Sequence, residues 1–378
     1  MMELIDFYNS IENPINDNKV ISEIIRKFAL SKDNDDFYSL LEKISGYKDS
    51  SYTFCHPYMN EDFNKLFDLL MQDGYREDLR NIRNGDYWVH IRSSGPLGKN
   101  INHRLYLNVD YPFIGELLYM FVSKCLDKDV PYYFKFPSFK CSRSDILVFY
   151  TSDDYILDFI NILKEIRQEV PQIMSKIDIP PILSGKIDGW IGYGAEPHML
   201  PNGELTSYNL LRCELIEKSI LDTTNDWIRN NKKYKVDFLN EKVSIKTYLS
   251  VMLTREIVSA CLEQFDGKFL LNNEQKEDVY NFVLSNFDNF INLSDFETYY
   301  NFDESNSIAI TSEFFVSAVK KLIKYLPKLN PNYVSDVKKQ IIYNCPSFGI
   351  DENNFCFNDD SKEIFEQISY QENTGRTL

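Results

Sequence analysis

Four short stretches between residues 85 and 212 constrain this chain more than any other feature. Residues 86–93, 104–110, 131–137 and 145–151 read as strands, two close pairs separated by a helical pattern. In the second stretch Leu105, Leu107 and Val109 fall on one side, Arg104, Tyr106 and Asn108 on the other, the period-two alternation of a strand. Pro112 opens a helix to about Leu126 between the pairs, and proline suits a first turn. A second helix, capped by Ser152 or Asp153, runs to about Val170. The order β-β-α-β-β-α, with strands so close in sequence, is wrong for a doubly wound parallel sheet. It predicts an α+β fold: a central mixed or antiparallel sheet with packed helices, flanked by N- and C-terminal helical regions.

Those flanks follow from helical spacing. Ile21, Ile24, Ile25 and Phe28 form one stripe, Phe37, Leu40, Leu41 and Ile44 another, and Asn60 caps a run ended by Gly74. From about 243 onward the chain again reads as helices with acidic loops, fraying at 371–378. The expected organisation is a helical region over 1–80, an α+β core over 81–235 and a helical region over 236–378. Residues 171–206, rich in Pro and Gly, read as a long loop holding one short strand at 190–194. A helix opening at Ser207 or just beyond carries Arg212 in its early turns.

The formal charge of the 378 residues is −16, which argues against nucleic acid and anionic membranes as partners. Residues 81–150 run against that trend, with nine Lys/Arg to six Asp/Glu, net +3. A basic island in an acidic body focuses the field on one anionic ligand, and chance clustering is the plain alternative. The seven cysteines are dispersed and without a CxxC pair, as for free thiols in a reducing compartment. The N-terminus shows no signal-peptide pattern, and the most apolar stretch, 112–126, is too short to span a bilayer. A cytoplasmic location is expected.

The strands deliver His90, Arg104, Lys135 and Arg143, and the following helix delivers Arg212. Several guanidinium forks with one lysine and one histidine suit a dianionic phosphate group. Eliminating phosphate from a phosphoserine or phosphothreonine requires a base for the weakly acidic Cα proton. An amine serves only when neutral, so burial or neighbouring cations must depress its pKa. Lys135, within the apolar 132–137 and close to Arg143, meets that description, and His90 is the strand histidine available as proton donor. Each residue also has an ordinary reading: Lys135 as an edge-strand lysine in water, His90 as a packed histidine, each arginine as half of a structural ion pair. The sequence has no dinucleotide, P-loop, hydrolase or kinase motif, and no His/Cys/Asp/Glu set at metal-ligand spacing, so neither cofactor nor metal is expected.

Three features together resemble a known group: the stretch from Gly85 to Val109; the run Phe134, Lys135, Arg143, Asp145, Val148, Tyr150; and Ser207 with Arg212 opening an amphipathic helix. They resemble the HopA-type effector family, which includes the lyase components of class V lanthipeptide and thioamitide pathways. More distantly they are similar to bacterial phosphothreonine lyase effectors and to the lyase domains of class III lanthipeptide synthetases. The resemblance covers roughly residues 80–230 and implies cofactor-free elimination of phosphate from a phosphorylated precursor peptide, leaving dehydroalanine or dehydrobutyrine. It implies Lys135 as general base, His90 as general acid, Arg143 and Arg212 as phosphate clamp, and Arg104 as a further phosphate ligand. A separate kinase-like protein is the implied partner. The effector lyases carry a lysine two residues before the acid histidine; here that position is Trp88. The alternative is a non-catalytic phosphopeptide-binding or effector-like protein, which would keep the arginines and could dispense with Lys135 and His90.

Overall fold

The computed structural model describes residues 3–42, 61–74, 76–77, 88–98, 101–137, 143–174, 177–198, 206–264, 270–292, 297–302 and 307–374. The expected cap at Asn60 and the last residue of the second stripe, Ile44, lie outside them. The chain forms two compact units. The first gathers residues 1–20, 38–214 and 342–378, the second residues 21–37 and 215–341. These boundaries differ from the three consecutive segments read from the sequence, because both ends of the chain join the first unit.

The first unit is built on an antiparallel sheet. Its strands are β1 (Arg76–Glu77), β2 (Trp88–Arg92), β3 (His103–Val109), β4 (Tyr133–Pro137), β5 (Leu147–Thr151), β6 (Ile177–Asp178), β7 (Gly185–Ile187) and β8 (Ile191–Ala195). Seven run in the order β1-β2-β4-β5-β3-β8-β7, and the short β6 pairs with the end of β3. Every pairing is antiparallel. The α+β expectation therefore holds, with the sheet antiparallel throughout.

Alternation along the strands sorts the side chains to two faces. Val89, Ile91, Leu105, Leu107, Phe134, Phe136, Leu147 and Phe149 join one large apolar core. Over that face lie α4 (Glu61–Asp73), α5 (Ile114–Asp127) and α6 (Ile156–Glu169), which follow α1 (Leu4–Ser10), α2 (Asn18–Leu30) and α3 (Asn34–Leu41) in the chain. Phe121 of α5 packs on Phe149 with ring centroids 4.5 Å apart, and Phe63 of α4 on Phe136 at 5.5 Å. The helix α4 stops where expected: Gly74 takes φ +71°, a left-handed cap that costs glycine least.

Three local expectations need correction. Neither Ser152 nor Asp153 caps α6, which begins at Ile156 after Tyr155 without a side-chain cap. The Asp153 carboxylate is engaged by Asn102 Nδ2 at 2.8 Å and by His103 Nε2 at 2.9 Å. Residues 171–206 are no single loop: the strand expected at 190–194 is β8, β6 and β7 also lie within them, and Gly185, Gly192 and Gly194 are strand residues that let bulky neighbours approach, while Gly189 turns between β7 and β8 at φ +77°. A Cβ on Gly194, for instance, would come within 2.5 Å of the Tyr208 ring.

The third correction is the C-terminal region, which is not purely helical. The helices α7 (Tyr208–Asn231), α8 (Ile245–Gln264), α9 (Asn273–Asn292), α10 (Ser312–Ile323), α11 (Tyr333–Asn344) and α12 (Ser361–Thr374) are joined by two hairpins. These pair β9 (Lys235–Phe238) with β10 (Glu241–Ser244), and β11 (Glu297–Asn301) with β12 (Ser307–Thr311). Within the second unit α8 packs against α9 and α10. Five cysteines, Cys125, Cys213, Cys261, Cys345 and Cys356, are buried free thiols. No described helix is long and apolar enough to cross a membrane.

Candidate functional site

The sheet face opposite α4–α6 is polar and aromatic. By alternation β2 sends Trp88 and His90 there, β4 sends Tyr133 and Lys135, β5 sends Val148 and Tyr150, and β3 sends Arg104 and Tyr106. Antiparallel register then aligns them in rows. His90 stands opposite Lys135, and Lys135 opposite Val148. Arg104 pairs with Tyr150 on one side and with Gly194 on the other. Four of the five candidate residues, His90, Arg104, Lys135 and Arg143, meet on this face through the contacts below.

Lys135 is the centre of the cluster. Its ammonium lies 4.5 Å from the centre of the Trp88 ring and 5.6 Å from that of Tyr150, so two π-faces flank this half-buried side chain. Burial first, then the cations Arg104 and Arg143, outweigh the carboxylates Asp145 and Glu196 and push its pKa down to about 8. Such an amine is neutral in about a tenth of molecules at pH 7, far more than a lysine at its ordinary value. His90 contacts the Tyr133 hydroxyl through Nδ1 at 3.0 Å, and its ring lies over Tyr150 at 6.4 Å. Tyr133 and Tyr150 stack at 4.6 Å beside Lys135 and His90.

The arginines are held by different means. Arg143 forms a two-pronged pair with Asp145, Nε–Oδ1 2.7 Å and Nη2–Oδ2 3.1 Å, and donates to the Tyr38 hydroxyl at 3.3 Å. Its guanidinium stands 4.9 Å from the Trp88 ring, so Trp88 lies close to both Lys135 and Arg143. The turn carrying Arg143 is pinned by Ser144, whose hydroxyl donates to the buried Glu42 carboxylate at 2.7 Å. Arg104, 5.2 Å from the Tyr150 ring, pairs through Nε and Nη2 with both oxygens of Glu196. The Glu196 side chain keeps 29% exposure, so this pair borders solvent, whereas Arg143–Asp145 does not.

Arg212 stands apart. It is wholly buried on α7, stacked on Tyr208 at 3.8 Å, and donates to the backbone carbonyls of Phe355 at 3.1 Å and Phe357 at 3.4 Å. A cation bonded to two carbonyls ties α7 to the segment before α12 and stabilises the fold there. Among the described residues its Nη1 has no partner. Tyr208 in turn packs beside Tyr106, whose ring centroid lies 6.0 Å away, so Arg212 is joined to the candidate face through one ring.

Sequence reading passed over Glu196, Tyr106, Tyr133 and Tyr208. Strand alternation does place Tyr106 on Arg104's face, but nothing in local sequence links Glu196 to Arg104 across β3 and β8. Elsewhere the fold brings His198, Asp359 and Asp360 together with one ligand atom each within 4.8 Å of the others. Sequence spacing could not show this group, since His198 lies far from the two aspartates in the chain, and His198 Nε2 contacts Asp360 at 2.9 Å. A cavity of about 310 Å³ lined by Asp73, Ser93, Cys125, Asp129, Tyr132 and Tyr155 includes none of the five candidate residues.

Comparison with known proteins gives a family over the same region. The model of the HopA1 effector protein family matches residues 79–248. Among solved structures, the effector protein from Pseudomonas syringae pv. tomato strain DC3000 is similar at 13% identity, over 53% of this chain and 86% of that one, with a TM-score of 0.38. The effector protein from Pseudomonas syringae pv. syringae strain 61 is similar at 11% identity, over 53% and 88%, with a TM-score of 0.37. No curated protein matches the chain. Residues 79–248, which hold β2 to β8 and all five candidate residues, match the HopA1 effector protein family, the family that the dispersed motifs resemble.

Proposed function

We propose that this protein is a phosphoserine/phosphothreonine lyase acting on a phosphorylated precursor peptide. The observation that carries the reading is Lys135 directly opposite His90 on one sheet face, walled by aromatic rings with Arg104 and Arg143 beside it. Neutral Lys135 takes the Cα proton of the phosphorylated residue. The electron pair of that C–H bond becomes the Cα–Cβ double bond, and the Cβ–O bond breaks with its pair on the phosphate oxygen. His90, protonated, gives its proton to that oxygen, so dehydroalanine or dehydrobutyrine and free phosphate leave. Arg104, Arg143 and the unpartnered Nη1 of Arg212 offer the phosphate charge-assisted donors. Arg104 is the most exchangeable of the three, because a dianionic phosphate can compete with the solvent-bordering Glu196 for its fork. The precursor peptide would reach this protein already phosphorylated by a separate kinase-like partner.

A second reading is a non-catalytic phosphopeptide-binding or effector-like interaction protein. Its support is the match to an effector family and the engagement of every candidate arginine by acceptors of the chain itself. The deciding experiment incubates a phosphorylated peptide with the protein alone, then with a small thiol. Loss of the mass of phosphoric acid, followed by a thiol adduct, is expected. Tight binding with no mass change would favour the second reading, and loss of metaphosphate mass alone would indicate hydrolysis.

A further inference from the structure

We propose that Tyr106 donates its hydroxyl hydrogen to an oxygen of the phosphate group bound on this face, as a further arm of the anion site beside Arg104 and Arg143. The substrate named rests on the lyase reading, whereas the donor role requires only a phosphate-bearing ligand. Tyr106 is 1% exposed, and its hydroxyl has no hydrogen-bond partner among the described residues. Burying an unpaired hydroxyl is unfavourable, and most such groups in folded proteins are satisfied. Phenylalanine would fill the same space without that penalty, so the orphan oxygen calls for a ligand.

Its surroundings say which ligand. Tyr106 lies two residues beyond Arg104 on β3, so both point to the same face. Its ring packs in a cluster with Val148, Tyr150 and Tyr208, part of the same polar and aromatic face. The register sets Gly192 opposite it, and a Cβ there would come within 3.0 Å of the Tyr106 Cβ, so glycine makes the room the ring needs. Tyr150 of that cluster lies 5.2 Å from the Arg104 guanidinium and 5.6 Å from the Lys135 ammonium, so the cluster adjoins both cations. Burial raises the phenol well above its ordinary range, so it stays protonated and is a donor across the working pH. A protonated hydroxyl beside a guanidinium fork complements a phosphate oxygen and not a cation.

The test compares wild type with Tyr106→Phe in three measurements: thermal melting, calorimetric binding of a phosphothreonine peptide and of inorganic phosphate, and elimination kinetics. The expected result is an unchanged or raised melting temperature together with weaker binding of both phosphate probes. A hydrogen bond to a charged group corresponds to roughly ten- to a hundredfold in affinity, and the unphosphorylated peptide should show no such difference. Equal phosphate affinity in the two proteins would overturn the proposal, and so would a clear drop in melting temperature, which would reveal a structural partner for the hydroxyl. If wild type eliminates phosphate and Tyr106→Phe matches it in kcat, KM and binding, the Tyr106 role falls and the lyase reading stands. If wild type binds the phosphopeptide, Tyr106→Phe weakens that binding and no dehydrated product forms, the lyase reading falls and the Tyr106 role stands. If wild type binds neither phosphate probe, both fall.

Discussion

The two faces of the central sheet are written by the same strands and put to opposite uses. Facing α4–α6, the alternate residues of β2 to β5 are Val, Ile, Leu and Phe, all buried in a continuous core. On the other side the intervening residues include Trp88, His90, Tyr133, Lys135, Tyr150, Arg104 and Tyr106, rings and charges packed against each other. The first face gains stability from every side chain it hides from water. The second holds a partly dehydrated lysine, two guanidinium groups and an unpartnered hydroxyl, none of which an apolar core would retain. A face assembled against its own stability is where binding and chemistry are expected.

Substitutions on the two faces should therefore separate activity from stability. The largest effect expected is for Lys135→Ala. On the proposed function, removing this amine should lower the elimination rate by roughly 10²–10⁴-fold, while melting and phosphopeptide affinity stay near wild type. Appreciable turnover by the folded variant would take Lys135 out of the mechanism. Phe121→Ala on the helical face should do the reverse. Losing a buried ring in contact with Phe149 costs about 3–5 kcal/mol of stability in comparable cores. Its kcat, measured below the lowered melting transition, should be that of wild type, and a kcat loss without destabilisation would blur the division between the faces.

A smaller effect is expected for Arg212→Lys. A lysine cannot donate to the Phe355 and Phe357 carbonyls with the same planar fork, so chemical denaturation should show a loss of roughly 1.5–3 kcal/mol. An unchanged denaturation midpoint would mean that the two carbonyl bonds do not hold α7 in place. Turnover by the folded variant reports separately on Nη1, the one nitrogen left for a phosphate.

Much of this contrast could be read from the sequence, because a strand's period is local. Leu105, Leu107 and Val109 against Arg104, Tyr106 and Asn108 show two faces without any structure. The Phe134–Tyr150 run likewise brings Lys135, Arg143, Asp145 and Tyr150 within reach. What stayed hidden depends on pairings distant in the chain. Arg104 meets Glu196 only because β8 lies beside β3, and Arg212 meets the Phe355 and Phe357 carbonyls only because the C-terminal segment returns to the first unit. The β9–β10 hairpin was missed for a local reason. Its turn residues Leu239 and Asn240 take φ +50° and +69°, a conformation usually announced by Asn-Gly or Asp-Gly. Of the described strands inside 171–206 β8 was legible at 190–194, whereas the short β6 and β7 were not: Gly185, which lets β7 approach Ile11 and Cys356 closely, reads in sequence as a turn.

The polar face rests on one electrostatic statement, that its surroundings unload the proton from Lys135. Nuclear magnetic resonance of the protein with ε-carbon-labelled lysines measures this without knowledge of the peptide, the Lys135 signal being identified by its absence from Lys135→Arg. The signal should titrate with a midpoint of about 8, the ammonium below that pH and the free amine above it. Exposed lysines should titrate near 10.4. A Lys135 midpoint at that ordinary value would mean that the rings of Trp88 and Tyr150 and the charges of Arg104 and Arg143 do not prepare a base, and would contradict the account.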